Sequence, residues 1–280
     1  MKANIGIRAH DLGSLPLAQL AKEIANKGLS SVQLALAKSF PEINTDLGGL
    51  SPGLANHLKH SFYKEKVQIA VLGCYINMIH PDVTERQNQL ERFKEHIRFA
   101  RDFGCSIVGT ETGSVIPNLG YTVENFGEKP YQEVVKSVKE LVQEAERFGI
   151  IVGIEGGINH PIHTPARMKR LLDDVPSNNL QVIYDPANFI SLENYAHQET
   201  VIDEAIELFG NRMIVLHAKD FIVEKEKVKM VPVGKGQLNY DFLFKRLKKR
   251  KPFMNILIEN TQEPHISSSI VFLQERFEKA

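Results

Sequence analysis

Glu155, Asp185, His217 and Glu259 each close a short apolar run, in the strings Ile154-Glu155-Gly156-Gly157, Tyr184-Asp185-Pro186-Ala187-Asn188, Leu216-His217-Ala218-Lys219-Asp220 and Ile258-Glu259-Asn260. They are separated by 30, 32 and 42 residues, close to the 35 that one-eighth of a 280-residue chain would give, so each belongs to a different repeat of one architecture. Alone, a carboxylate at a strand end can cap the next helix, and a single His is most simply a structural hydrogen-bonder. Four at matching places instead predict three carboxylates and one imidazole converging on one divalent metal ion. An oxygen-rich donor set with one imidazole and no thiolate suits Mn²⁺, Mg²⁺ or Co²⁺, and admits Zn²⁺. Such a cation polarises a carbonyl and stabilises the enediolate left when a neighbouring C–H loses its proton. Glu155 and Glu259 would reach it from different sides, each ligating through one oxygen and moving a proton with the other. Return of the proton to the opposite face gives epimerisation, and return to the adjacent carbon gives aldose–ketose isomerisation. Asp185 and His217 would be mainly ligands.

Residues placed this way need strands to carry them. Eight β-rich runs recur, at 3–8, 31–36, 67–76, 105–111, 150–155, 180–185, 212–217 and 254–259, alternating with segments of helical spacing. Leu17, Leu20, Ala21, Ile24 and Ala25 mark one such buried helical face, and Val134, Val135, Val138, Leu141, Val142 and Ala145 another. Lys27-Gly28, Phe103-Gly104, Phe148-Gly149 and Phe209-Gly210 each offer a glycine where a left-handed C-cap would release the chain into the next strand. Continuously apolar strands such as Ile150 to Ile154 read as covered on both faces, as in parallel sheets. The expected fold is α/β, a single closed (β/α)₈ barrel over residues 1–280, in which functional groups sit at the C-terminal ends of the strands. An open doubly wound sheet would carry fewer strands and a Gly-rich first turn, unlike Arg8-Ala9-His10-Asp11-Leu12-Gly13.

Composition narrows the partners. Thirty-four basic residues balance thirty-four acidic ones, which gives no general field for nucleic acid or a membrane surface. No run of 18 or more apolar residues predicts a membrane span, and the N-terminal residues pass directly into a strand-like run; a cytoplasmic location is expected. Only Cys74 and Cys105 occur, both in apolar runs, which argues for small buried hydrophobes in a reducing compartment rather than a disulfide scaffold.

The strings Ile-Glu-Gly, Asp-Pro-Ala-Asn, His-Ala-Lys-Asp and Val-Gly-Lys-Gly-Gln-Leu-Asn-Tyr resemble the hallmarks of a xylose-isomerase-like barrel of the sugar phosphate isomerase/epimerase group, and the likeness spans nearly the whole chain. The resemblance implies a metal held by Glu155, Asp185, His217 and Glu259, with the two glutamates as acid/base pair. Related scaffolds include ketose 3-epimerases, aldose–ketose isomerases, inosose and dehydroshikimate dehydratases and apurinic-site endonucleases. The endonucleases use a histidine-rich three-metal cluster; here Asn188 stands at one of its histidine positions and residues 221–233 contain no histidine, so a trinuclear phosphodiester site is not expected. Asn188 also departs from the ketose 3-epimerases, where a His is common, yet it can still hydrogen-bond a sugar hydroxyl or serve as a turn residue after Pro186.

Further candidates surround this set. Lys219, two residues beyond His217, would point the same way and could steady an enediolate or phosphate, or pair with Asp220 or Glu259. Asp220 is also a candidate to orient His217. Glu111, at the end of the fourth strand, could bind a hydroxyl or serve as another acid, and Asn77, His80, His160 and His163 read equally as substrate contacts or as loop hydrogen-bonders. Val233-Gly234-Lys235-Gly236 invites a phosphate-loop reading but lacks the full Walker pattern. Lys245 to Lys251 reads as a solvated helix end. The function expected is a metal-dependent isomerase or epimerase of a sugar or sugar phosphate, with a small-molecule sugar or polyol as partner and homo-oligomerisation left open. A cyclic-polyol dehydratase is the alternative, and a non-catalytic sugar-binding barrel belongs to a different class.

Overall fold

The computed structural model describes residues 2–280. Eight parallel strands close into a barrel: β1 (Asn4–Arg8), β2 (Ser31–Leu34), β3 (Gln68–Gly73), β4 (Ile107–Glu111), β5 (Ile151–Glu155), β6 (Leu180–Tyr184), β7 (Met213–Ala218) and, after an inserted hairpin, β10 (Asn255–Ile258). The order around the barrel is β1-β10-β7-β6-β5-β4-β3-β2, which is sequence order with β10 meeting β1. This is the (β/α)₈ architecture expected from the eightfold alternation, with every strand but β7 shorter than its apolar run by one to four residues and β7 shifted by one.

Helices form the outer layer. Helix α1 (Leu17–Asn26) buries Leu20, Ala21 and Ile24, and the long α5 (Glu128–Phe148) buries Val134, Val135, Val138, Leu141, Val142 and Ala145, the faces expected from their spacing. Several helices begin on a side-chain cap. Ser51 accepts from the Leu54 N–H before α3 (Pro52–Lys64), Asp82 from the Thr84 and Glu85 N–H groups before α4 (Val83–Phe99), and Thr164 from the Arg167 N–H before α6 (Pro165–Asp174). Gly28, Gly104 and Gly149 take the left-handed φ of 74°, 71° and 63° expected of C-caps. Gly210 does not: its φ is −55°, because α7 (Gln198–Phe209) tightens into a further 3₁₀ turn before β7.

The hairpin of β8 (Asp220–Glu224) and β9 (Lys227–Val231) is the element that sequence reading missed. Its turn uses Lys225 and Glu226 at φ 49° and 54°, left-handed positions that Asn or Gly usually mark, so no turn signal announces it. No helix among the described residues is long and apolar enough to cross a membrane. Cys74 and Cys105 are both free and buried.

Strand register fixes what fills the barrel. Gly73 pairs with Gly109 and Gly109 with Gly153, so three glycines share one level, and Ile183 covers the last two: a Cβ at position 109 would lie 2.6 Å, and one at 153 2.9 Å, from Ile183 Cδ1. On the other side Gly6 pairs with Ser31 and Leu257. Two residues further along each strand, on the same face, come Arg8, Gln33, Glu111, Glu155, Asp185, Lys219 and Glu259, with His217 alongside. A small-residue layer therefore lets large side chains pack beneath a polar one.

A Cβ at Gly6 would stand 2.3 Å from the Ser31 carbonyl oxygen and 2.7 Å from Leu257 Cδ2, whereas one at Gly53 meets nothing closer than 3.8 Å. Denaturant unfolding should show Gly6→Ala less stable by about 1–3 kcal/mol, and Gly53→Ala stabilised by up to about 1 kcal/mol. Equal stabilities would remove the packing argument. Buried His96 donates from Nδ1 to the Arg92 carbonyl at 2.8 Å, and burial pushes its pKa down to about 4 from 6.5. Between those values the unfolded chain binds the extra proton, so stability rises with pH and is lost as pH falls from about 6.5 to 4. Replacing His96 with Gln should flatten the pH dependence in that window by up to about 3 kcal/mol, read by unfolding at pH 7 and pH 4.5; parallel profiles would refute the assignment.

Candidate metal centre

Four strand ends deliver Glu155, Asp185, His217 and Glu259 to one place. One donor atom from each lies within 4.8 Å of the others, and all four residues are buried. The local chain explains each orientation. Asp185 starts an Asx turn: its Oδ1 accepts from the N–H groups of Ala187 at 2.9 Å and Asn188 at 3.2 Å, which leaves Oδ2 facing inward. Gly156 follows Glu155 where a Cβ would collide with the Ile162 carbonyl at 2.7 Å, so the chain can turn tightly off the strand. Glu259 is anchored through its own N–H to the Ala218 carbonyl at 2.9 Å.

Around His217 the two glutamates are arranged alike. Its Nδ1 stands 3.2 Å from Glu155 Oε2 and 2.9 Å from Glu259 Oε2. On the far side of the ring, Nε2 lies 2.7 Å from Gln33 Oε1, and the Gln33 amide nitrogen in turn donates to the Tyr75 hydroxyl. With Nε2–H donating to Gln33, Nδ1 is the nitrogen that faces the carboxylates; there it carries a proton between the two glutamates, and a bound cation would take that proton's place.

The other carboxylate oxygens are held by separate groups. Glu259 Oε1 meets Lys219 Nζ at 2.7 Å and Arg8 at 2.8 Å. Arg8 is itself fixed by Asp11, with both contacts at 3.0 Å, and by Asn260 at 2.7 Å. Glu155 Oε1 accepts from the Asn188 side-chain amide at 2.7 Å, and the Asn188 carbonyl oxygen accepts from Lys219 Nζ at 2.9 Å. Lys219 also lies 3.0 Å from Asp185 Oδ2. The lysine thus takes both parts that sequence reading left open: it points into the site, and it pairs with Glu259.

These surroundings shift the acids in opposite directions. Burial pushes the Glu155 and Asp185 carboxyls above the ordinary carboxylate range, opposed by His217 and Lys219. At Glu259 burial acts the same way but is outweighed by Lys219, His217 and Arg8, which hold it well below that range. Burial would lower His217, yet Glu155 and Glu259 push it up to about 10.

A divalent cation fits the donor set. Asp185 Oδ2, His217 Nδ1 and Glu259 Oε2 are buried atoms without an aligned hydrogen-bond partner, although Lys219 and His217 lie close to the two oxygens. Unpaired buried polar atoms of this kind are costly unless something coordinates them. Three carboxylate oxygens and one imidazole nitrogen are the ligands of a hard or borderline divalent ion.

The remaining candidates divide. Glu111 ends β4 in register with Glu155, and its carboxylate stands 3.7 Å from His160 Nε2, while His160 Nδ1 donates to the Gly113 carbonyl at 2.9 Å. Of the two readings left open for Asn77, the structure has the loop hydrogen-bonder: its carbonyl accepts from Ser114 N–H at 3.0 Å and its amide donates to the Ile116 carbonyl at 3.2 Å, which turns it into the protein. His163 packs on Phe126, 4.2 Å between ring centres, and His80 closes a turn with the Asp82 N–H, so neither joins the cluster. Asp220 does not orient His217. Its carboxylate accepts from the backbone N–H groups of Phe221, Gly234, Gly236 and Leu238, because alternation along the chain sends residue 220 away from the side shared by 217 and 219. Sequence reading missed Arg8, Gln33 and Tyr75; the available signal was a lone Arg and a lone Gln in otherwise apolar strands.

Replacing Gln33 with Leu should weaken divalent-cation binding by about 10–100-fold, measured by calorimetric titration, with thermal unfolding as the control for folding. Unchanged affinity in a folded variant would remove Gln33 as the support of His217.

Comparison with known proteins agrees with this fold. The chain superimposes on a D-tagatose 3-epimerase-like protein with a TM-score of 0.76 at 20% identity, covering 100% of this chain and 98% of that one. It superimposes on a xylose isomerase-like TIM barrel protein from Mycobacterium smegmatis in complex with magnesium at TM-score 0.74 and 15% identity, covering 99% and 97%. The probable 3-DHS dehydratase AsbF of petrobactin synthesis from Bacillus anthracis matches at TM-score 0.73 and 13% identity, covering 98% of each chain. No curated protein matches by sequence. The model of the xylose isomerase-like TIM barrel family matches residues 21–275, and the chain belongs to that family.

Proposed function

We propose that the protein is a divalent-metal-dependent isomerase or epimerase of a sugar or sugar phosphate, working through an enediolate with Glu155 and Glu259 as the acid/base pair. The observation that carries this reading is that two glutamates from different strands each bring Oε2 beside the same His217 Nδ1, while the other oxygen of each is held by a separate hydrogen-bonding or ionic partner. Asp185 and His217 complete the set that would hold the cation. When bound, the cation supplies Lewis acidity at the substrate oxygens and charge for the enediolate.

The protein's own groups do the rest. One glutamate takes the proton from the carbon beside the carbonyl, and the other returns a proton to the opposite face or to the neighbouring carbon. Lys219 and Arg8 hold Glu259 Oε1 in place, and Asn188 holds Glu155 Oε1. Support also comes from the epimerase-like and magnesium-bound relatives, whose barrels this chain shares.

Either Glu155→Gln or Glu259→Gln should abolish deuterium uptake from D₂O into substrate, a loss of at least about 10²-fold, while the fold is preserved. Proton NMR with metal-loaded protein and a panel of ketoses, ketose phosphates and inososes reads this out. An epimer or aldose identifies the isomerase, loss of water from a cyclic substrate identifies a dehydratase instead, and full exchange in either variant removes that glutamate from the acid/base pair.

A further inference from the structure

The reaction proposed above leaves the charge of the substrate open, and the barrel mouth bears on it. In this fold, phosphate is commonly held by backbone N–H groups of the loops after the seventh and eighth strands. Of these, the loop after β10 has its Asn260 N–H bonded to Asp11 at 3.0 Å, and the loop that follows β7 and the hairpin, 233–239, has the glycines for such a cradle, but its donors are already used. Val233 N–H donates to Thr261 Oγ1 at 3.2 Å, Lys235 N–H to the Pro232 carbonyl at 3.0 Å and Gln237 N–H to the Phe221 carbonyl at 2.8 Å. The alternate N–H groups, of Gly234, Gly236 and Leu238, all donate at 3.0 Å to the Asp220 carboxylate. Asp220 is thus a resident anion in the cradle. A Cβ at position 236 would lie 2.2 Å from Asp220 Oδ1, so this carboxylate, needing no ligand, accounts for the glycine.

The buried cations of the mouth are committed as well. Arg8 is divided among Asp11, Glu259 and Asn260, and Lys219 among Asp185, Glu259 and Asn188. His10 is uncharged at neutral pH, because burial and Arg8 push its pKa down to about 4. Lys38 and Lys235 are exposed, where water and salt screen them. What the mouth does present is a carboxylate: the Glu111 side chain is 35% exposed on the same face as Glu155, with His160 behind it. A carboxylate accepts hydrogen bonds from hydroxyl groups and repels a phosphate.

We infer that the substrate is an uncharged ketose or cyclic ketopolyol, recognised by Glu111 through its hydroxyl groups, and that phosphorylated sugars are excluded. This rests on the isomerase or epimerase reading and narrows it.

The test is solvent-deuterium exchange by the metal-loaded protein on matched ketoses with and without a phosphate group, together with inorganic phosphate as competitor and the variant Glu111→Gln. The expected result is a kcat/KM at least 100-fold higher for the unphosphorylated member of each pair and no competition by millimolar phosphate. Glu111→Gln should raise KM for the neutral ketose by about 10-fold or more. Preference for the phosphorylated member, or competition by phosphate, overturns the inference and leaves the isomerase reading standing. An unchanged KM in Glu111→Gln overturns the role of Glu111. Absence of exchange with either member, with bound metal verified, overturns the isomerase reading and the inference with it.

Discussion

Three carboxylates share one buried cluster, and the rest of the site follows from their repulsion. Two like charges 4 Å apart repel by about 4 kcal/mol at an effective dielectric of 20, and each buried ion also forfeits several kcal/mol of hydration. Glu155, Asp185 and Glu259 are at most 5% exposed, so water cannot relieve this. The chain answers with Lys219 between Asp185 and Glu259, Arg8 on Glu259 and His217 between the two glutamates. Arg8 and His217 arrive from β1 and β7, and Lys219 from the residue just past the end of β7. Removing any one would strand a buried charge, which costs far more than the pair contributes when intact.

That arrangement is possible because the barrel separates size from charge along its axis. The glycine level of β4 and β5 accepts the side chain of Ile183, and the next inward level carries the polar residues. Tyr184, one residue on from Ile183, points the opposite way and packs its ring near Phe209 of α7. Consecutive residues of one strand thus serve the floor of the site, the outer core and, at Asp185, the metal set. A one-residue slip would exchange these faces, so the same alternation that seals the barrel fixes the geometry of the ligands.

That Glu155, Asp185, His217 and Glu259 would come together was legible in the sequence because each is an ionisable residue ending an apolar run, and strand ends are where this architecture places its functional groups. Lys219 was legible from parity with His217. The opposite parity of Asp220 carries its carboxylate to the amides of the 234–238 loop, a contact fixed only once the β8–β9 hairpin returns the chain, and that hairpin has no glycine or asparagine at its turn. Gln33 and Arg8 escaped because each is one polar residue within a strand, without a motif, and its purpose depends on strands that lie more than 180 residues away in sequence. Asn77 stayed open between two readings for the reverse reason. It follows β3 as a ligand would, yet three hydrogen bonds turn its side chain into the neighbouring loops.

The two glutamates end in unlike settings although their places around His217 match. Glu259 is held by full charges, Lys219 and Arg8, whose own positions are fixed by Asp185, Asp11 and Asn260. Glu155 is held by the neutral amide of Asn188, a partly exposed residue that also bridges to Lys219. An ionic clamp with both partners buried resists displacement, whereas a neutral amide at the mouth can exchange its hydrogen bond for a substrate hydroxyl at little net cost. The asymmetry follows from where each partner sits: Arg8 and Lys219 at the ends of β1 and β7, and Asn188 in the turn after β6.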